Sequence, residues 1–373
     1  MIKSIKIRLL PTKEQEAIMF QSVGCKRFAY NWGLNRSKEL YEQGIKFNKV
    51  NLRKEFNQYK KQFDWINNVS AKVTANAFED LNVAMARFFK KQSGFPKFKS
   101  KKNSRMSFYV RYDAIKFKNN RVNIEKIGKV IYHSNQKIPQ LDKYVNPTCY
   151  YDGKYWYLSL GYERGVNEIE QTGEVIGIDL GVKDLAILSN QDEPIKNINK
   201  SYRVRQLKKK LRRKQRQVSR KYLINKQGNK YVKTNNIVKL EKEIKLINRK
   251  LNNIRLNHIH QTTAMIVKIK PSRVVMEDLN VTGMMKNKHL AKAVQEQKFY
   301  EFIRQMKYKC EFNGIELIQA DRWYPSSKTC SRCGSIKKDL KLSDRTYICN
   351  ECGFIIDRDK NAAINLSYYQ LAK

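Results

Sequence analysis

Residues 3–9 (KSIKIRL) alternate charged and apolar side chains at a period of two, which predicts a half-buried strand. Pro11 ends the alternation, and Thr12 with Gln15 three positions on makes a helix start of the capping-box kind. Apolar positions including Cys25, Phe28, Trp32 and Leu34 carry that helix to about Gly44. A second helix is expected over 71–91, closed by the Gly and Pro of GFPKFKS at 94–100. From about Ser104 to Tyr162 the texture turns to short runs rich in branched and aromatic residues: SFYVRY, RVNIEKIG, KVIYH and CYYDGKYWYLSL. Asp152-Gly153 inside the last run is a strong hairpin signal. The N-terminal half is therefore expected to be a small β-barrel (1–11 and 98–165) with a helical insert (12–97), and the polar stretch 163–174 to be a linker.

A second unit begins at Val175. VIGIDLG reads as a strand ending in a glycine turn, and LAILS as its hairpin partner. Between Arg203 and Lys221 eleven of nineteen residues are Lys or Arg, with Val204, Leu207, Leu211 and Val218 on one helical stripe. After a polar break (KQGNKYVKTNN), Ile237, Leu240, Ile244, Ile247, Leu251 and Ile254 recur at spacings of three and four, the seam of an antiparallel helical hairpin. SRVVMEDL (272–279) reads as a buried strand ending in acids. A helix over 295–312, the strand GIELIQA and a closing helix in DRDKNAAINLSYYQLA complete an α+β multidomain pattern.

Charge changes the picture most. Lys and Arg number 76 against 34 Asp and Glu, a formal net charge of +42 over 373 residues. A compact chain so charged repels itself unless a polyanion neutralises it, and phosphate backbones are the usual partner. A passive basic coat is the plain alternative, but 41% hydrophobic and 11% aromatic residues are enough to build a real core. The length suggests two or three domains. No apolar run approaches the roughly 18 residues of a membrane span, and MIKSIKIRLLP does not read as a signal peptide. The expected place is the cytoplasm, beside the nucleoid, with no membrane partner. At the density found in 203–221, exposed Lys208, Lys209, Arg212, Arg213 and Arg216 are expected to track phosphates rather than merely face solvent.

The seven cysteines are unevenly placed, with Cys25, Cys149 and Cys310 scattered. Cys330-Ser-Arg-Cys333-Gly and Cys349-Asn-Glu-Cys352-Gly are two knuckles with fifteen residues between them. That spacing supplies four thiolates for one structural zinc and leaves no open position for catalysis. Gly334 and Gly353 stand where a tight knuckle turn favours positive φ. The segment between the knuckles is long enough for a hairpin, giving a zinc ribbon over 323–356 on which Arg332, Lys337 and Lys338 could touch nucleic acid. Among the acids, Asp179 is embedded in an apolar strand, Glu277 ends another, and Asp357 or Asp359 opens the final helix. Burying an unpaired carboxylate is costly, and hard divalent cations are natural partners for carboxylate oxygens. Two Mg²⁺ ions held about 4 Å apart can activate water and stabilise the leaving oxygen in phosphodiester cleavage. The four histidines (His133, His258, His260 and His289) form no such pattern.

GIDLGVKDLAILS, VVMEDLNVTGM, the CSRCG and CNECG knuckles and DRDKNAAINL, in that order, resemble the TnpB family of transposon-encoded, RNA-guided DNA endonucleases, relatives of type V CRISPR effectors. GCKRFAYNWGLN and FFKKQSGFPKFKS extend the resemblance to the N-terminal half. It implies a RuvC-type nuclease domain of RNase H-like fold at 174–322 and 357–373, with Asp179, Glu277 and Asp359 as catalytic carboxylates. Asp359 is favoured over Asp357 because the family's ligand stands two residues before the Asn, here Asn361. It also implies a guide RNA from the transposon end, double-stranded target DNA beside a short flanking motif, one protein per RNA, and a role for Lys72 in reading that motif. A nucleic-acid-binding repressor, a transposition accessory factor without cleavage, a transposase and a passive RNA-binding protein are the rival readings.

Overall fold

The chain divides into two compact units, Met1–Arg164 and Gly165–Lys373. They are seen in a computed structural model that describes residues 1–166, 169–341 and 343–370. Parts of the expected linker (167 and 168), the ribbon (342) and the chain end (371–373) lie outside the described residues.

In the first unit the alternating N-terminal run forms strand β1 (Ile2–Leu10), with Ile5, Ile7 and Leu9 buried. Helix α1 (Lys13–Glu42) starts with the capping box its sequence spells: the Gln15 amide donates to Thr12 Oγ1 at 3.3 Å, and the Thr12 amide donates to Gln15 Oε1 at 3.1 Å. Helices α2 (Lys49–Tyr59) and α3 (Ala71–Phe89) follow. The hydrophobic pattern alone does not announce α2, but its Asn48 cap and the four-residue spacing of buried Leu52 and Phe56 do. Strands β2 (Ser107–Tyr109), β3 (Lys116–Lys118), β4 (Arg121–Ile124), β5 (Gly128–His133), β6 (Val145–Tyr151) and β7 (Trp156–Glu163) join β1 in one antiparallel sheet, ordered β2-β6-β7-β1-β5-β4-β3. The order has two ends, so the expected β-barrel takes the form of an open, curled half-barrel. At Asp152-Gly153 the turn is a four-residue loop, because Tyr151 pairs with Trp156. Asp152 Oδ1 accepts from the amides of Lys154 and Tyr155, and Gly153 takes φ +96°. Helices and sheet share one core, in which Met19, Leu34, Phe56 and Phe78 meet Ile7, Leu9, Phe108 and Trp156.

The second unit is built on strands β8 (Val175–Leu180), β9 (Asp184–Leu188) and β10 (Ile195–Lys196), followed by helix α4 (Tyr202–Ile224). The polar break after α4 holds a small hairpin, β11 (Lys226–Gln227) and β12 (Lys230–Tyr231), before helix α5 (Asn235–Lys268). Val204 of α4 packs on Ile247 and Leu251 of α5, as the seam predicts. The far end of α5 is different: Ile259, Ile266 and Val267 enter the core under the sheet. Strand β13 (Arg273–Glu277), helices α6 (Val281–Lys286), α7 (Ala291–Gln297) and α8 (Phe299–Phe312), and strand β14 (Glu316–Ala320) come next. The single helix expected over 295–312 is broken at Lys298, which is left-handed at φ +61°. The break lets Val294 and Phe299 both reach the core, while buried Gln297 donates from Nε2 to the carbonyls of Gly181 (3.0 Å) and Val182 (3.2 Å). The sheet order is β10-β9-β8-β13-β14, with β8, β13 and β14 parallel and β9 antiparallel to both its neighbours.

Strands β15 (Thr346–Ile348) and β16 (Ile355–Asp357) pair across the second knuckle, and helix α9 (Arg358–Ser367) lies on β8. Gly177 makes that approach possible. A Cβ there would stand 2.0 Å from the Ala363 carbonyl oxygen and 2.5 Å from the Ser367 amide. Among the described residues no helix is long and apolar enough to cross a membrane.

Candidate active site and metal centre

The parallel pairing of β8 and β13 decides where two of the acids stand. Met276 lies opposite Ile178, so the register carried one residue further sets Glu277 beside Asp179 at the carboxyl ends of adjacent strands. That end of a parallel pair is where open sheets present their ligands. Asp359, in the first turn of α9, joins them because Gly177 lets α9 settle on β8. Asp179, Glu277 and Asp359 line one cavity of about 300 Å³, with Lys183, Asp184, Ser327, Arg345 and Arg358 also in its wall. The acids close in sequence to Glu277 and Asp359 are engaged elsewhere. Asp357 caps α9, its Oδ1 accepting from the amides of Asp359 (3.0 Å) and Lys360 (3.1 Å). Asp278 accepts from Arg322 Nη2 at 2.6 Å. Neither lines the cavity.

Burial, followed by the nearby charges of Glu277 and Asp359, holds the Asp179 carboxyl well above the usual carboxylate range, with Arg358 opposing. Asp359 Oδ1 accepts from Arg358 Nε (3.2 Å) and Nη2 (3.0 Å), and Arg345 Nη1 stands 3.8 Å from Oδ2. Glu277 Oε1 accepts from the Ser326 hydroxyl at 2.8 Å. Asp179, Glu277 and Asp359, with Asp184 also in the wall of this small cavity, are a carboxylate donor set that suits a hard divalent cation.

The cysteines form a tighter group. The Sγ atoms of Cys330, Cys333, Cys349 and Cys352 all lie within 4.8 Å of one another, and among the described residues no other set of three or more His, Cys, Asp or Glu ligand atoms converges so closely. Cys330 and Cys352 are 3.7 Å apart and Cys333 and Cys349 3.6 Å. A tetrahedron with Zn–S bonds of 2.3 Å has edges of about 3.8 Å, so the thiols fit zinc, and they are far too distant for disulfides. Gly334 (φ +77°) and Gly353 (φ +67°) turn the knuckles as expected. The Cys352 amide reaches Cys349 Sγ at 3.5 Å, and this backbone donor, with the Ser335 hydroxyl, lowers the Cys349 thiol to about 6. The expected hairpin between the knuckles is absent among the described residues. Pairing instead flanks each knuckle, through the Thr329–Ile336 bridge and β15–β16, because each needs its own two arms to close.

The basic candidates separate. Lys208 pairs with Glu296, which also takes Arg255 at 3.2 Å, so Lys208 is committed within the fold. Lys209, Arg212, Arg213 and Arg216 are exposed on α4, and Arg212 and Arg216 line a shallow groove there with Arg220. Lys72 is exposed in the first turn of α3, behind the Ser70 cap. On the ribbon, Arg332 lies 6.0 Å from the Phe354 ring, Lys337 Nζ donates to the Ile348 carbonyl at 3.1 Å, and Lys338 is exposed. Sequence reasoning missed Gly177, Gln297, Ser326 and Asn365 and gave Asn361 no role of its own. Of these only Gly177, a glycine inside a strand pattern, carried a local signal.

A carboxylate cavity and a four-cysteine centre in one strongly basic, mixed α/β chain are compatible with a metal-dependent nuclease. Three family models match the chain: "Helix-turn-helix domain" over residues 1–46, "Probable transposase" over 159–288, and "Cas12f1-like, TNB domain" over 299–366. Residues 1–46 here contain a strand and one 30-residue helix rather than two helices about a turn. The chain is 30% identical over 369 residues to the "Putative RNA-guided DNA endonuclease" of Streptomyces pristinaespiralis, a match spanning 98% of this chain and 88% of the relative. InsQ of Escherichia coli K12 carries the same description and is 27% identical, over 98% of this chain and 91% of its own. In fold the chain resembles the solved Cas12f1–sgRNA–target DNA complex, with a TM-score of 0.60, 14% identity and 98% of each chain covered. The chain belongs to the TnpB family of transposon-encoded, RNA-guided DNA endonucleases.

Proposed function

We propose that the chain pairs with a guide RNA from its transposon end and cleaves double-stranded DNA beside a short flanking motif, with Asp179, Glu277 and Asp359 as the catalytic carboxylates. The observation that carries this reading is the gathering of Asp179, Glu277 and Asp359, far apart in sequence, around one cavity at the carboxyl ends of β8 and β13. The mixed sheet with α9 laid on its central strand is the frame expected of a RuvC-type, RNase H-like domain. The three carboxylates would hold two Mg²⁺ ions, which when bound supply an activated water and a stabilised leaving oxygen for phosphodiester hydrolysis. Arg345 and Lys183 add positive charge to the same cavity wall, where a scissile phosphate would sit. The four thiolates hold one structural zinc.

Base pairing between guide and target would carry sequence specificity while the protein grips backbones. The exposed Lys209, Arg212, Arg213 and Arg216 of α4 suit that grip, and Lys208 serves it less because Glu296 already holds it. The first unit would bind the RNA scaffold and read the flanking motif, with Lys72 the candidate reader. One protein per RNA is the simplest stoichiometry. The test is Asp179→Ala in the protein purified with its own RNA. Mg²⁺-dependent cleavage of a matched target is expected to be lost with RNA and DNA binding retained. Cleavage by the variant at the wild-type rate overturns the assignment, and a wild-type protein that binds matched DNA but never cuts it points to a guided repressor.

A further inference from the structure

The geometry points to Ser326 as a positioning residue for Glu277, held in place by Asn361 and Asn365 of α9, which also tie it to the first cysteine knuckle. The inference rests on Glu277 being a metal-binding carboxylate. Ser326 is 3% exposed, and a hydroxyl so buried must find a partner. It donates to Glu277 Oε1 at 2.8 Å, which restricts the carboxylate's rotation and leaves it further lone pairs with which to hold a cation. A donor behind a ligating carboxylate is the usual means of aiming it.

Ser326 is itself located with little freedom. Its carbonyl accepts from Asn365 Nδ2 at 2.7 Å, and the same amide reaches the Thr329 carbonyl at 2.6 Å. Asn361 Nδ2 donates to that Thr329 carbonyl at 2.7 Å, while Asn361 Oδ1 accepts from the Ser331 amide at 3.0 Å. Both asparagines are buried, one helical turn apart. Thr329 and Ser331 flank Cys330, so the clamp grips the chain on both sides of a zinc ligand. Helix α9 thus carries one acid of the cavity, Asp359, and two amides that locate the hydroxyl behind another. A purely structural role would fasten the loop without aiming its hydroxyl at Glu277, and the two roles predict different measurements.

Ser326→Ala removes the donor at nearly constant volume, and Ser326→Thr keeps it. Mn²⁺ binding to the purified protein–RNA complex is followed by the EPR signal of free Mn²⁺, with Asp179→Ala as the blank for ions held by RNA. The Mg²⁺ dependence of target cleavage is measured alongside zinc content and melting temperature. We expect Ser326→Ala to weaken Mn²⁺ binding and raise the Mg²⁺ needed for half-maximal cleavage by at least about tenfold. The rate should recover toward wild type at high Mg²⁺, zinc and melting temperature should hold, and Ser326→Thr should stay near wild type. Wild-type Mn²⁺ affinity and Mg²⁺ midpoint in Ser326→Ala, with Asp179→Ala inactive, overturns the inference and spares the active site. An equal fall of both Ser326 variants together with melting temperature reduces the residue to packing. Full cleavage by Asp179→Ala overturns the carboxylate reading and the inference with it.

Discussion

The thiolate centre and the carboxylate cavity lie in the same unit and are assembled in opposite ways. The four sulfurs come from residues 330–352, close two short loops and meet at 3.6–3.7 Å across the pairs. The three acids come from positions 179, 277 and 359, and meet only because a parallel strand pair, a mid-strand glycine and a docked helix bring them together. Closing a short loop costs little conformational entropy, so a knuckle specifies its site locally. A site built from distant segments inherits its geometry from the whole core. Its electrostatics follow, since Arg358 and Arg345 already stand against Asp359, while half-buried Asp179 keeps its charge poorly compensated.

The largest expected effects set one site against the other. Asp359→Ala should cut target cleavage at least about a thousandfold, ~4 kcal/mol in the barrier, with melting temperature hardly changed. Cys349→Ser should do the reverse to stability, with zinc content falling and several kcal/mol lost, as is usual when a structural zinc is removed. Limited proteolysis should then cut within 323–356 while Met1–Arg164 stays whole. If instead both variants lose cleavage and stability in equal measure, the two sites are one cooperative structure and the contrast fails.

Gly177→Ala probes what the cavity demands of the core. Its Cβ meets backbone rather than a flexible side chain, so α9 must shift, at a cost of about 1–3 kcal/mol. The denaturant midpoint should fall, and cleavage should fall further than stability alone accounts for, because Asp359 moves with the helix. A variant with unchanged activity would show that the carboxylates tolerate movement. The smallest effect is expected at Asp357→Ala, which loses a helix cap worth about 1 kcal/mol and keeps most cleavage. Read beside Asp359→Ala, it tests the division between two acids two residues apart, one capping the helix and one facing the cavity.

Much of the architecture is legible because local chemistry and final structure agree. Thr12 and Gln15 cap α1, the seam of α4 and α5 packs as its spacing says, and the glycines after Cys333 and Cys352 take positive φ. The differences arise where distant packing overrules local pattern. A continuous helix over 295–312 satisfies the apolar spacing, yet Gln297 is required at the turn after β8 and Lys298 becomes left-handed to allow it. The β-rich stretch carries no statement of whether its edge strands meet, and they do not. Lys208 looks like any other lysine of a basic run until Glu296, some ninety residues away by sequence, takes it.

By itself the sequence determined the strong basic charge, the four cysteines that cluster and the identity of the candidate acids, because charge, knuckle spacing and a carboxylate in an apolar strand are properties of short segments. Tertiary structure decided that Asp357 caps while Asp359, favoured until then by family resemblance only, lines the cavity, that Asp278 turns to Arg322 while Glu277 turns to Ser326, and that Gly177 must have no side chain. Each of those outcomes depends on which atoms arrive from elsewhere in the chain, and contacts at such separation exist only once the core has closed.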